Sequence, residues 1–256
     1  GFISMSIHCW DWNGHGYETF GDIIKHSCNV GFMELGSKIG KDKLVDFSKK
    51  LGIGQRTGID LPGESAGILR DPSKMNSVDL ATMAFGQGVA VTQVQFMAAF
   101  NSIANSGTWI RPHIMKSIGH ADDNNKLVED RKFNDYGKRK VYDPKIAATL
   151  RQYLEKVVTE GVGKNAYVDG LDVAGKTGTA QVADSETGRY VEGKYISSFV
   201  GMAPASNPKI TVLISIDSPS NGSYYASDTA APFAKELFSE VFNYMSIKGE
   251  QNLLDK

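Results

Sequence analysis

Between Thr19 and Leu51 the apolar residues Phe20, Ile23, Ile24, Val30, Phe32, Met33, Leu35, Ile39, Leu44, Phe47 and Leu51 recur mostly at three- and four-residue steps. That spacing puts them on one side of a 3.6-residue helix and predicts two or three helices, broken near residues 27–29 and at Gly40. Residues 52–76 (GIGQRTGIDLPGESAGILRDPSKMN) carry Gly, Pro and Asp throughout and read as an extended, turn-rich connection. Thr92 can cap a helix through Val94, Phe96, Met97, Phe100, Ile103 and Ala104, which Asn105-Ser106-Gly107 stops. Asp143 starts another, ending around Glu160-Gly161, and the polar run at 121–126 (ADDNNK) reads as a loop.

The last third changes character. Residues 171–182, 195–202 and 210–216 are rich in β-branched and apolar residues bounded by turn signals, which predicts three strands. Gly188 falls in the hairpin between the first two, and Ser206-Asn207-Pro208 in the turn before the third. A closing helix carries the stripe Phe233, Leu237, Phe238, Val241, Phe242 and Met245. Helices, then antiparallel strands, then a packed terminal helix predict an α+β fold with no internal repeats. A helical portion at about 15–165 precedes strands and closing helix at about 166–248.

Composition narrows the function. The 28 basic and 29 acidic residues nearly cancel, which speaks against nucleic acid as a partner. No run approaches the roughly 18–20 apolar residues of a membrane span, and the opening GFISMSIHCW lacks a signal peptide's basic start and long apolar centre, so the chain is expected to be soluble. Its two cysteines are too few for a disulfide-stapled scaffold.

Two short motifs carry candidate chemistry. Lys176-Thr177-Gly178-Thr179 lies inside the first predicted strand, where a Gly permits close approach of a ligand or another backbone. Such a strand edge, with a cation and two hydroxyls, suits an extended peptide added as a β-strand with its carboxylate held by the lysine; a solvated edge strand is the plain alternative. Ser27-x-Asn29 taken by itself reads equally as a helix cap or turn.

The two motifs, in this order and 149 residues apart, resemble the second and third elements of penicillin-binding proteins and serine β-lactamases. CWDWNGHGYETF before the first, KLGIGQRTGIDLPGE after it, then AFGQGVAVTQVQ, and GKTGTAQV leading into SSFVGMAPASNP, are similar to the transpeptidase domain of class B penicillin-binding proteins. CW followed by GHG resembles the sporulation-type members of that class. The resemblance implies a single transpeptidase domain with an antiparallel sheet flanked by helices. It further implies peptidoglycan stem peptides and β-lactams as ligands, cell-wall or spore-cortex synthesis proteins as partners, no cofactor, and a parent anchored in the cytoplasmic membrane with this domain on the outer face.

By the same resemblance Ser27 relays a proton between the reacting centre and the lysines, and Asn29 hydrogen-bonds the substrate backbone. Lys176 supplies positive charge near Ser27 and the substrate carboxylate. Thr177 and Thr179 add hydroxyl donors, the Thr179 N–H is an oxyanion donor, and Gly178 lets the substrate strand approach. The family's nucleophile element, S-x-x-K, normally precedes S-x-N by several tens of residues, but only 26 residues stand before Ser27 here. The one S-x-x-K match, Ser206-Asn207-Pro208-Lys209, is expected to be a turn, because the chemistry needs Ser and Lys on one helical face. The chain is therefore expected to be the C-terminal part of the domain, N-terminally truncated and inactive alone; a non-catalytic module binding wall peptide or partner proteins is the other reading.

Two rivals concern the same stretch. A Ser–His hydrolase would need a base other than His26, whose adjacent side chain points away from Ser27, and no G-x-S-x-G elbow is present. A zinc site would draw on His8, Cys9, His15, His26 and Cys28, yet no C-x-x-C or H-x-x-x-H pair occurs, so no metal is expected. Finally, if the family's exported location holds, Cys28, the middle residue of the S-x-N motif, and Cys9, 19 residues upstream, form a candidate redox pair.

Overall fold

The computed structural model describes residues 7–134, 136–184, 187–220 and 222–245. Its helical part begins with α1 (Phe20–His26), started by a capping box in which Thr19 Oγ1 accepts the Asp22 N–H and the Asp22 carboxylate accepts the Thr19 N–H. Ser27 ends α1 in the left-handed region at φ 57, and Cys28 then caps α2 (Asn29–Ile39), its Sγ accepting the Gly31 N–H at 3.4 Å. Gly40, at φ 83, makes the break before α3 (Lys41–Lys50), a backbone conformation that side chains rarely adopt. These three helices and both breaks fall where the apolar spacing puts them.

The turn-rich connection carries only a short 3-10 turn, Pro72–Lys74. It is held by the buried Gln95, whose Nε2 donates to Gln55 O at 2.5 Å and Ala66 O at 2.7 Å from the first turn of α5 (Gln93–Ala104). Thr92 caps α5 as expected, paired with Gln95 in a capping box. Between them lies α4 (Ser77–Ala84), which the apolar pattern did not disclose: eight residues with an Asn76–Asp79 capping box. It crosses α2 closely at Gly36, where an added Cβ would stand 2.5 Å from Ala84 Cβ.

Four short strands follow as two antiparallel pairs: β1 (Thr108–Ile110) with β4 (Lys138–Lys140), and β2 (Ser117–Ala121) with β3 (Leu127–Lys132). Residues 122–126 of the polar run form the turn of the β2–β3 hairpin. Its strands escaped the sequence reading because β3 is exposed throughout and carries no apolar alternation. Helix α6 (Pro144–Thr159), capped by Asp143, then leads to the main sheet.

That sheet has the order β5-β6-β7, with β5 (Ala174–Ala183), β6 (Tyr190–Ala203) and β7 (Ile210–Asp217) all antiparallel. Alternation along β6 sends Phe199 and Ala203 to one core and Val200 and Met202 to the other. The first core lies under α7 (Ala230–Met245) with Val212 and Phe238; the second holds Leu154 and Val157 of α6, Phe100 of α5 and Ile24 of α1. The apolar stripe expected on α7 is only half right. Phe238 and Phe242 are buried, but the inward face is completed by Ala230, Ala231 and Ala234, while Phe233 is 56% exposed and Leu237 and Met245 also face outward. Small residues let the helix sit close to the sheet, and a bulky phenylalanine at 233 fits only outside.

Candidate active site

Strand β5 forms one edge of the main sheet. Lys176 pairs with Val200, Gly178 with Ser198 and Thr179 with Ser197, all toward β6, and among the described residues nothing pairs with the other edge of the strand. Gly178 is exposed and has no heavy atom within 4 Å of where a Cβ would stand, so an extended chain can lie against the strand there. Thr179 Oγ1 accepts the Ala226 N–H at 3.1 Å, which orients the hydroxyl and leaves its own proton to donate.

Across the cleft stands the turn between α1 and α2. Lys176 Nζ donates to Ser27 Oγ at 2.7 Å and to Thr177 O at 2.9 Å, joining residues 149 apart in the chain. Burial pulls the Lys176 ammonium down to about 8 from its usual 10.5. At neutral pH it is mostly protonated and can attract a carboxylate, yet it can give up its proton at modest cost. Because Ser27 Oγ accepts from the ammonium, the hydroxyl proton is directed elsewhere, the arrangement a proton relay needs. Ser27 holds its left-handed conformation because α1 donors and acceptors fix it: its own N–H reaches back to Ile24 O at 3.3 Å. Asn29, the first residue of α2, is partly exposed beside it.

The turn is braced from behind. The Lys25 carbonyl accepts the Val162 N–H at 3.3 Å, and Lys25 Nζ pairs with Asp22 at 3.1 Å and with Glu160 at 3.8 Å. Thr19, and then Lys25, hold the Asp22 carboxyl down at about 2. His26 takes no part in the cleft: its Nδ1 lies 2.6 Å from Glu18 Oε1, and its carbonyl accepts the Trp10 Nε1–H at 3.1 Å. Ser206 and Lys209 lie in the bend between β6 and β7, not on a helix, so they do not form an S-x-x-K pair on one helical face.

Sequence reasoning missed one wall. The segment at 222–229 packs over the Thr179 end of β5, where Ser197 Oγ donates to Tyr224 O at 2.5 Å and the Tyr224 ring stacks on Tyr195 at 4.1 Å. The signal available was the aromatic pair Tyr224-Tyr225 inside a polar stretch, an unusual placement for a simple loop.

Cys28, between Ser27 and Asn29, is buried, with Cys9 nearby, and both are thiols. Burial pushes the Cys28 thiol up to about 11 against the pull of the Gly31 N–H; a hydrogen bond with Glu18 and the neighbouring Cys9 push it the same way as burial. The sulfurs lie within 4.8 Å of each other, so a disulfide, at about 2.05 Å, would need them to close further.

The model of the penicillin-binding protein transpeptidase domain matches residues 4–239. The chain belongs to this family. The chain is 39% identical over 250 residues to stage V sporulation protein D of Bacillus subtilis, covering 98% of the chain and 38% of that protein. It is 33% identical over 241 residues to peptidoglycan D,D-transpeptidase FtsI of Buchnera aphidicola, covering 93% of the chain and 40% of that protein. Among solved structures, penicillin-binding protein 3 of Mycobacterium tuberculosis in complex with ampicillin superposes with a TM-score of 0.80 at 30% identity, over 90% of the chain and 52% of that structure. The chain thus spans about two-fifths of the length of stage V sporulation protein D and of FtsI, and its α+β fold with an antiparallel sheet between helical layers is that of the family.

Proposed function

We propose that this chain supplies the substrate-cradling walls of a peptidoglycan D,D-transpeptidase. The observation that carries the reading is the 2.7 Å contact between Lys176 and Ser27, made by two motifs that no local feature of the sequence would bring together. An acyl-donor peptide lies along the free edge of β5, its terminal carboxylate beside Lys176 and the hydroxyls of Thr177 and Thr179, its backbone held by Asn29. A serine from an upstream S-x-x-K element attacks the carbonyl of the D-Ala-D-Ala bond; the bond to the terminal D-alanine breaks, and its nitrogen takes a proton relayed through Ser27. An amine from a second strand then displaces the serine, giving the cross-link. The Thr179 N–H steadies the oxyanion in both steps, a contribution worth about 3 kcal/mol for donors of this kind.

Penicillins acylate the same serine in this reading. The parent is anchored in the cytoplasmic membrane with the domain outside it and serves spore-cortex synthesis; the likeness to stage V sporulation protein D supports the sporulation part of this reading. Among the described residues no helix is long and apolar enough to cross a membrane.

The test uses a fluorescent penicillin. The longer protein carrying an upstream S-x-x-K segment is expected to form a covalent adduct, and the 256-residue chain alone none. Labelling of the chain at Ser206 would overturn the account of the nucleophile. A longer protein that binds stem peptide but never acylates would instead support the non-catalytic module.

A further inference from the structure

Cys9, His15 and Cys28 converge behind the S-x-N turn, with one ligand atom of each within 4.8 Å of the other two. Cys9 Sγ and His15 Nδ1 are 3.6 Å apart. A tetrahedral zinc ion with bonds of about 2.3 Å to sulfur and about 2.05 Å to nitrogen has an S···N edge of about 3.6 Å. Its S···S edge, about 3.8 Å, is reached from the present separation by closing at most about an ångström. We propose that Cys9, His15 and Cys28 form a zinc site that ties the 9–15 segment to the catalytic turn.

The surroundings are those of a built site. The His15 ring is held between Trp10, at 5.4 Å, and His26, with which it stacks at 5.5 Å and 7°. Glu18, with a side chain only 6% exposed, lies 2.6 Å from His26 Nδ1. The Gly31 N–H at 3.4 Å already points at the Cys28 sulfur, as N–H donors do toward metal-bound thiolates.

The ion exchanges for two protons. One Zn²⁺ displaces the thiol protons of Cys9 and Cys28, His15 binds as the neutral imidazole, and the net charge of the cluster is unchanged. Two thiolates and an imidazole suit a borderline-soft ion and not calcium or magnesium, which take oxygen ligands. The absence of a C-x-x-C pair hid this site, because its ligands come from a loop and from the cap of a helix. They meet only when Trp10 docks on the His26 carbonyl.

The 256-residue chain, reduced and stripped with a chelator, is titrated with Zn²⁺ and with Co²⁺. One metal per chain is expected, with two protons released and, for Co²⁺, thiolate-to-metal absorption together with the visible bands of a tetrahedral centre. Cys9→Ser and His15→Ala each weaken binding by roughly tenfold or more, with circular dichroism unchanged. Binding that is absent, or that is as tight in Cys9→Ser or His15→Ala as in the parent chain, overturns the proposal. So does a Cys9–Cys28 disulfide that forms in preference to the metal complex under reducing conditions. None of these readouts involves acylation, so they stand apart from the penicillin test.

Discussion

Lys176 shows what a single side chain costs the fold and gives the cleft. Its ammonium is held at about 8 by burial, against 10.5 when exposed. The unfolded chain therefore binds this proton more tightly than the folded one, and stability contributed by this group rises with pH across that interval. The penalty is present in full below about pH 8 and gone above about 10.5, amounting to roughly 3 kcal/mol. Tyr142, raised by burial, and Tyr224, raised by its hydrogen bond with Tyr225, act in the opposite sense above pH 10, where the unfolded phenols ionise first. Comparing Lys176→Met with the parent chain removes the tyrosines from the account. Urea unfolding at pH 7, 8, 9 and 10 should show the difference in stability, variant minus parent, constant up to about pH 8 and then falling. A difference that does not vary with pH would mean that the charge is not buried at a cost. The retained cation makes sense only as something the cleft uses: Met would fill the space as well but could hold neither Ser27 nor a carboxylate.

Among the elements, α7 separates what periodicity conveys from what it hides. The phenylalanines at 233, 238 and 242 look alike in sequence, but Phe238 has no exposed surface and Phe233 is mostly exposed. Phe238→Ala should therefore cost about 3–5 kcal/mol by leaving a cavity against Phe199 and Val212, and Phe233→Ala within about 0.5 kcal/mol. Denaturant midpoints of the two variants decide it; equal costs would restore the stripe read from the sequence. The reason the stripe misled is that Ala230, Ala231 and Ala234 fix the buried face, and alanines carry little weight in an apolar count. The helices from Thr19 to Leu51 were legible because caps and spacing agree there: Thr19 and Asp22, Ser27, Cys28 and Gly40 each mark an end. Helix α4 and the β2–β3 hairpin were not, since one is eight residues beside a Gly/Pro-rich stretch and the other is exposed on both faces.

At the scale of the molecule, the cleft was legible as two motifs and a spacing, while the contacts that complete it came from segments with no motif at all: the 222–229 wall over Thr179, and the 9–18 segment behind Ser27. The same view exposes a second edge. Strand β7 (ITVLISID) pairs with β6 on one side only, and among the described residues nothing pairs with its outer edge. Beside it lies an open recess of about 630 Å³, lined by Leu213 of β7, Met97 and Asn101 of α5, and Ile110 to His113. Asn101 Oδ1 there is buried without a hydrogen-bond partner. An eight-residue, β-branched strand with a free edge is a template for pairing with another strand, and it carries no guarding lysine. The chain should therefore associate as its concentration rises, through β7. Ser215 is exposed on that strand, so Ser215→Lys adds the missing charge without disturbing the core. Sedimentation velocity over a hundredfold concentration range should show the parent chain forming larger species and the variant remaining monomeric. A parent chain that stays monomeric throughout, or a variant that associates equally, would show that this edge is closed by some other means.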